Sequence, residues 1–152
     1  MADRKMRVLI VDDANLVRLY DRQILEEAGF EVDEALNGLE ALERLLVSRA
    51  DALIVDINMP QMDGITFLAA LKRQALPLSS IPALVASTES NLSDVVAARA
   101  AAPISTTLSR SAARISRATI DSGWSMLRGI RPSSNSTGAR LTGQPQSFGM
   151  NR

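Results

Sequence analysis

Two short, wholly apolar runs that each stop on aspartate constrain this chain more than any other feature in it. Val8-Leu9-Ile10-Val11 gives way abruptly to Asp12-Asp13, and Ala52-Leu53-Ile54-Val55 gives way to Asp56. Four consecutive apolar residues without polar alternation suit a strand buried on both faces, the condition of a parallel sheet covered by helices. Between these runs the period changes. From Asn15 to Ala28 the apolar positions Val17, Tyr20, Ile24 and Ala28 keep helical spacing, and Gly29 supplies a stop. Phe30 to Ala35 alternates as a strand does, and Asn37-Gly38 opens a second helix whose Leu39, Leu42 and Leu46 share a face. After the loop Asn58-Met59-Pro60-Gln61-Met62-Asp63-Gly64 comes a third helix with Ile65, Leu68 and Leu71 on one side. Pro77 and Pro82 bracket a loop before the strand Ala83-Leu84-Val85-Ala86, which ends in Ser87-Thr88. A fourth helix, with Val95, Val96 and Ala98 as core candidates, is expected to run to about Ala102 and to stop at Pro103.

Strand and helix therefore alternate four times, which predicts an α/β fold with a doubly wound parallel sheet and right-handed crossovers. In such sheets the functional crevice lies beyond the carboxyl ends of the strands, where Asp12, Asp13, Asp56 and Ser87 all fall. One aspartate at a strand end is most often a turn or cap residue; three at one crevice repel, and either raise one another's pKa or recruit a cation. The chain has no His and no Cys. The hard oxygen donors left to it favour Mg²⁺ or Mn²⁺, with Mg²⁺ the better fit, and Mg²⁺ held by so few carboxylates implies a phosphoryl ligand.

The same two absences exclude disulfides, thiol nucleophiles, Ser-His catalysis and imidazole metal sites. Residues 1–102 carry 10 basic and 16 acidic groups, hence −6, whereas residues 103–152 carry 7 Arg and one acid, Asp121, hence +6. The division predicts one domain over 1–102 and an atypical Ser/Arg-rich tail over 103–152. A charged stretch from Met1 to Arg7 and the lack of any long apolar run give the expectation of a cytoplasmic protein without a membrane partner.

The chain resembles the receiver domains of bacterial response regulators, especially small chemotaxis-type ones, over about residues 6–102. The resemblance rests on Val8-Leu9-Ile10-Val11-Asp12-Asp13, on Asn37-Gly38-Leu39-Glu40-Ala41-Leu42, and on Ile54-Val55-Asp56-Ile57-Asn58-Met59-Pro60-Gln61-Met62-Asp63-Gly64. It implies the flavodoxin-like strand order 2-1-3-4-5, the order for which a member of this family is a standard illustration. It further implies that Asp56 is the phosphoacceptor, that Asp12, Asp13, Asp56 and the backbone carbonyl of Asn58 organise Mg²⁺, and that the Ser87 hydroxyl hydrogen-bonds a phosphoryl oxygen. Asn58 and Glu89 fall where the family tunes hydrolysis of the acyl phosphate, while Met59 and Met62 are packing residues. The implied partners are a sensor histidine kinase, whose phosphohistidine supplies the phosphoryl group, and a downstream target protein. The implied role is a phosphoacceptor signalling domain of a two-component system, not an enzyme with separate substrates.

Beyond Ala102 the family pattern requires a fifth strand with an aromatic switch residue, a Lys-Pro ending and a fifth helix, and none is legible. The only lysines are Lys5 and Lys72, and Arg110 is a poor substitute because a guanidinium does not replace a point charge. Two origins of residues 103–152 stand: a poorly ordered segment, or a reading frame shifted near Ala102. Arg114 to Ile130 has some helical spacing, weakened by Gly123 and Gly129. Seven scattered Arg with Trp124 and Phe148 argue against nucleic-acid binding. Loss of about four buried side chains of a fifth strand forfeits about 6–12 kcal/mol. Unless residues 104–108 supply an edge strand, a destabilised domain, or one that self-associates through its open sheet edge, is expected.

Three functional readings follow. The first is a phosphorylation-driven switch of the chemotaxis type. The second is a receiver-like interaction module that lacks the switch Lys and aromatic and is not phosphorylated. The third, a haloacid-dehalogenase-like phosphatase, wants an acid two residues after its nucleophile, where this chain has Asn58.

Overall fold

The structure is a computed structural model that describes residues 4–87, the helical positions Ser93, Val96, Ala97 and Ala100, and the backbone of 105–109; of Ser87, too, only the backbone is described. Glu89, Val95, Ala98, Arg110 and the helix expected over 114–130 lie outside the described residues.

The apolar runs form strands as expected: β1 (Arg7–Val11) and β3 (Ala52–Asp56) lie side by side in parallel, with β2 (Glu31–Ala35) on the far side of β1 and β4 (Ala83–Ser87) beyond β3. The helices are α1 (Asn15–Glu27), α2 (Gly38–Val47) and α3 (Gly64–Lys72), and a short 3-10 turn occupies Leu78–Ser80. The strand that is not legible in the sequence is present. β5 (Ser105–Ser109) pairs in parallel with β4, so the sheet has five strands in the order β2-β1-β3-β4-β5. Thr106 and Thr107 favour extended backbone through their β-branched side chains, although Ser-Thr-Thr-Leu-Ser shows no apolar period.

Alternate residues of the buried strands feed opposite faces. Leu9, Val11, Leu53, Val55, Ala83 and Val85 join the core beneath α2 and α3, while Val8, Ile10, Ala52, Ile54 and Leu84 join Leu25 of α1 on the other side. Both faces are thus covered, and the doubly wound architecture is confirmed.

Helix ends follow local chemistry. Asn37 Oδ1 accepts from Glu40 N at 2.9 Å, and Glu40 Oε2 reaches back one residue past the cap to accept from Leu36 N at 2.8 Å, a variant of the capping box that starts α2. Asp63 does the same work for α3, accepting from Thr66 N at 2.8 Å. α1 ends where Gly29 takes φ +94°, Gly29 N donates to Glu26 O at 3.0 Å, and Phe30 N donates to Leu25 O at 3.0 Å, the two bonds of a Schellman motif.

The helix faces correct the sequence reading. α2 turns Gly38, Ala41 and Leu45 inward, and leaves Leu39 and Leu46 exposed. Leu42, half-buried, packs against the core as expected. The small residues Gly38 and Ala41 on the inner stripe let the helix lie close to the sheet, so that Leu45 and not Leu39 or Leu46 is the fully buried leucine. In α1 the buried positions are Arg18, Asp21 and Leu25, whereas Ala28 is exposed and Val17, Tyr20 and Ile24 are half-buried. Val96, expected in the core, is exposed. No described helix is long and apolar enough to cross a membrane.

Candidate functional site

Register brings the aspartates together. Val11 pairs with Val55 across β1 and β3, so the next residues, Asp12 and Asp56, stand level at the carboxyl edge of the sheet. Asp13 follows one residue on. One carboxylate oxygen from each of the three lies within 4.8 Å of the others; Asp12 and Asp56 are buried and Asp13 is exposed. Asp56 in turn pairs with Ala86 of β4, which places the backbone of Ser87 one position beyond it on the neighbouring strand.

The turn after β1 is held at three points. Asp12 N donates to Ala35 O at 3.1 Å, Asp12 Oδ1 accepts from Ala14 N at 2.8 Å, and Asp12 O accepts from Arg18 Nη1 at 2.8 Å. Arg18 is a site residue that the sequence reading misses. Its signal is helical spacing: it lies three residues before Asp21 and seven before Leu25, on the stripe that faces the sheet. Its Nε also donates to Glu34 Oε2 at 3.2 Å, and Arg22 Nε donates to Glu34 Oε1 at 2.5 Å. Burial pushes the Glu34 carboxyl up, but the hydrogen bonds from Arg22 and Arg18 outweigh it and hold the group below the usual carboxylate range.

The loop after β3 closes on itself. Ile57 N donates to Ala86 O at 3.3 Å, and Gly64 N donates back to Ile57 O at 2.9 Å, pinning the two ends of the loop together. Between them Asn58, Pro60 and Gln61 are exposed, Met59 is buried, Met62 packs against the core, and Gln61 takes φ +67°. Met59 and Met62 are packing residues, as expected. Asn58 follows Asp56 by two residues, at the start of this loop.

A metal ion would meet only oxygen here. Three carboxylates in a chain with neither imidazole nor thiolate match the donor preference of a small hard dication, and their mutual repulsion is what such an ion would relieve. Neither lysine stands at the cluster. Lys5 precedes β1, at the opposite end of the sheet, and Lys72 closes α3, where its Nζ donates to Ala100 O at 3.0 Å.

Comparison with known proteins agrees with this geometry. Residues 8–112 match the family model described as the response regulator receiver domain. A protein-glutamate methylesterase/protein-glutamine glutaminase of Archaeoglobus fulgidus is 47% identical over 81 residues, which cover 52% of this chain and 23% of that protein. The transcriptional regulatory protein PrrA of Mycobacterium leprae is 40% identical over 91 residues, 60% of this chain and 38% of that one. The chain thus spans well under half the length of these curated relatives. Among solved structures, the chemotaxis protein CheY4 of Vibrio cholerae superposes with a TM-score of 0.72 at 28% identity, covering 81% of this chain and 98% of that one. With a matching family model over more than half its length and the parallel five-stranded sheet, this chain belongs to the response regulator receiver domain family.

Proposed function

We propose that the chain is a phosphorylation switch of a two-component system, in which Asp56 accepts a phosphoryl group from phosphohistidine on a sensor histidine kinase. The observation that carries this reading is the convergence of Asp12, Asp13 and Asp56 at the carboxyl edge of the sheet. Asp12, Asp13, Asp56 and the carbonyl of Asn58 would hold Mg²⁺. Bound there, the ion would offset the repulsion between an anionic nucleophile and an anionic phosphoryl group. A carboxylate oxygen of Asp56 forms the new bond to phosphorus as the P–N bond of the phosphohistidine breaks, and the imidazole leaves on the partner, since this chain has no His. Ser87, at the end of β4, is the residue we assign to the phosphoryl oxygens. The product carries about 1.5 to 2 added negative charges, which would bias a protein-binding surface toward a downstream target. The chain thus acts as a phosphoacceptor within the cytoplasm, with no turnover of a separate substrate.

The test is incubation with a small acyl phosphate and Mg²⁺, read by intact mass. A gain of one phosphoryl group that disappears in Asp56→Asn and on chelation of Mg²⁺ is expected; an adduct that survives Asp56→Asn overturns the assignment.

One observation favours a second reading. Both lysines lie away from the acidic cluster, so the ammonium that the family places beside the phosphoryl group has no counterpart among the described residues. An interaction module that binds its partner without phosphorylation is that reading, and it predicts no adduct in the same experiment.

A further inference from the structure

The guanidinium of Arg18 spends its donors in three directions: to Asp12 O at 2.8 Å, to Asn15 Oδ1 at 3.2 Å and to Glu34 Oε2 at 3.2 Å. Its side chain is 7% exposed, so the group is removed from water and held by these acceptors. Glu34 is fixed from its other oxygen by Arg22, which also pairs with Glu26 at 2.9 Å. A chain of charged groups therefore runs from the outer face of α1, through β2, to the carbonyl of Asp12.

That carbonyl belongs to the peptide plane joining Asp12 to Asp13. Because the peptide is planar, the direction of Asp12 O and the departure of the chain into Asp13 are one variable. We infer that Arg18 is a positioning residue for cation capture: by fixing the Asp12–Asp13 peptide it aims the exposed Asp13 carboxylate at Asp12 and Asp56. Asp12 is held besides by Ala35 O and Ala14 N, so its own place does not depend on Arg18 alone. Asp13 is exposed and is the cluster member most dependent on that turn. Glu34 offsets the charge of Arg18, so the effect is one of aim and not of field. The inference rests on the reading of Asp12, Asp13 and Asp56 as a dication site.

The experiment is calorimetric titration of the full chain with Mg²⁺ alone, comparing Arg18→Ala, Arg18→Lys and, as a matched destabilised control, Leu42→Ala on α2. Partners that orient a metal ligand typically cost 10-fold or more in affinity when removed, so Arg18→Ala is expected to raise the Mg²⁺ Kd by about tenfold. Arg18→Lys can reach Asp12 O or Glu34 but cannot span both as a planar fork, and an intermediate Kd is expected. Leu42→Ala is expected to lower the melting temperature while leaving the Kd within about twofold of the parent. A Kd for Arg18→Ala within twofold of the parent, or an equal rise in Leu42→Ala, overturns the inference. If Arg18→Ala does not fold, Arg18→Lys decides alone: a raised Kd supports the inference and an unchanged one overturns it. A parent chain that binds no Mg²⁺, or binds it unchanged in Asp13→Ala, overturns the dication site itself and the inference with it, and is seen before any Arg18 variant is made.

Discussion

A Cβ placed on Gly64 would stand 2.2 Å from the carbonyl oxygen of Asp56. The third helix therefore begins against the backbone of the proposed phosphoacceptor, with room for hydrogen only. Gly64→Ala must push either the loop or the end of β3 aside. We expect a loss of roughly 1–3 kcal/mol in urea unfolding, together with slower phosphoryl acceptance by Asp56. Parent-like stability and parent-like adduct formation would show that the contact relaxes freely.

Asp13 should behave in opposite ways with and without cation. It is the exposed member of three crowded carboxylates. Without Mg²⁺, Asp13→Ala relieves like-charge repulsion and should stabilise the chain by up to about 1 kcal/mol. With Mg²⁺, it removes a ligand, so the rise in melting temperature that the ion gives the parent should shrink or vanish. Thermal melts with Mg²⁺ and with chelator read both arms; a variant destabilised in chelator contradicts the repulsion.

The start of α2 offers a local test. Asn37→Ala removes the acceptor for Glu40 N and is expected to cost about 1 kcal/mol, while Asn37→Asp, which keeps the acceptor, stays near the parent. Urea midpoints at constant slope measure the difference.

Acid should weaken the fold from about pH 4.5 downward. Glu34, Glu40 and Asp63 are all held below their ordinary values: Glu34 by its two arginines against its own burial, Glu40 first by the Leu36 amide, and Asp63 first by the Thr66 amide. The unfolded chain then binds protons more readily than the folded one as the pH falls through this range. Stability from these groups is full above their unfolded values and is lost as pH drops through the lowered ones. With no His in the chain, no imidazole contributes a slope between pH 5.5 and 8. Urea midpoints against pH test this, and a gain in stability below pH 4 would contradict it.

The two ends of the sheet differ in charge. β2 carries Glu31, Asp33 and Glu34, whereas β5, the terminal strand among the described residues, is Ser-Thr-Thr-Leu-Ser without a charge. Charged residues on an edge discourage pairing with another chain, so the β5 edge is where self-association is expected. Size-exclusion chromatography with light scattering should show a concentration-dependent dimer that Thr107→Lys shifts to monomer; a parent that stays monomeric throughout argues against it.

Legibility in the sequence followed burial. β1 and β3 could be read because they are buried on both faces and show it as unbroken apolar runs, and their terminal acids pointed to the acidic cluster before any distance was known. β5 could not, because a sheet-edge segment of serine and threonine has no period to detect. In α1 the inward stripe is partly ionic, Arg18 and Asp21 standing where an apolar pattern would be sought. In α2 two of the three inward residues, Gly38 and Ala41, are small and only Leu45 is large, so the eye follows Leu39 and Leu46 to the wrong face. Helical spacing marks Arg18 as inward-facing but does not reveal its role: its partner Glu34 lies 16 residues away on another element, and no local spacing announces the pair.

The hydrogen bond from Gly64 to Ile57 makes a neck beneath the loop that follows β3. On the proposed function, whatever replaces the exposed Asn58, Pro60 or Gln61 above that neck alters the surface offered to an incoming water or partner, yet leaves the anchorage of the proposed nucleophile below untouched. Lifetime of the modified state and integrity of the scaffold can therefore drift independently over generations, one in the bight and the other in its knot.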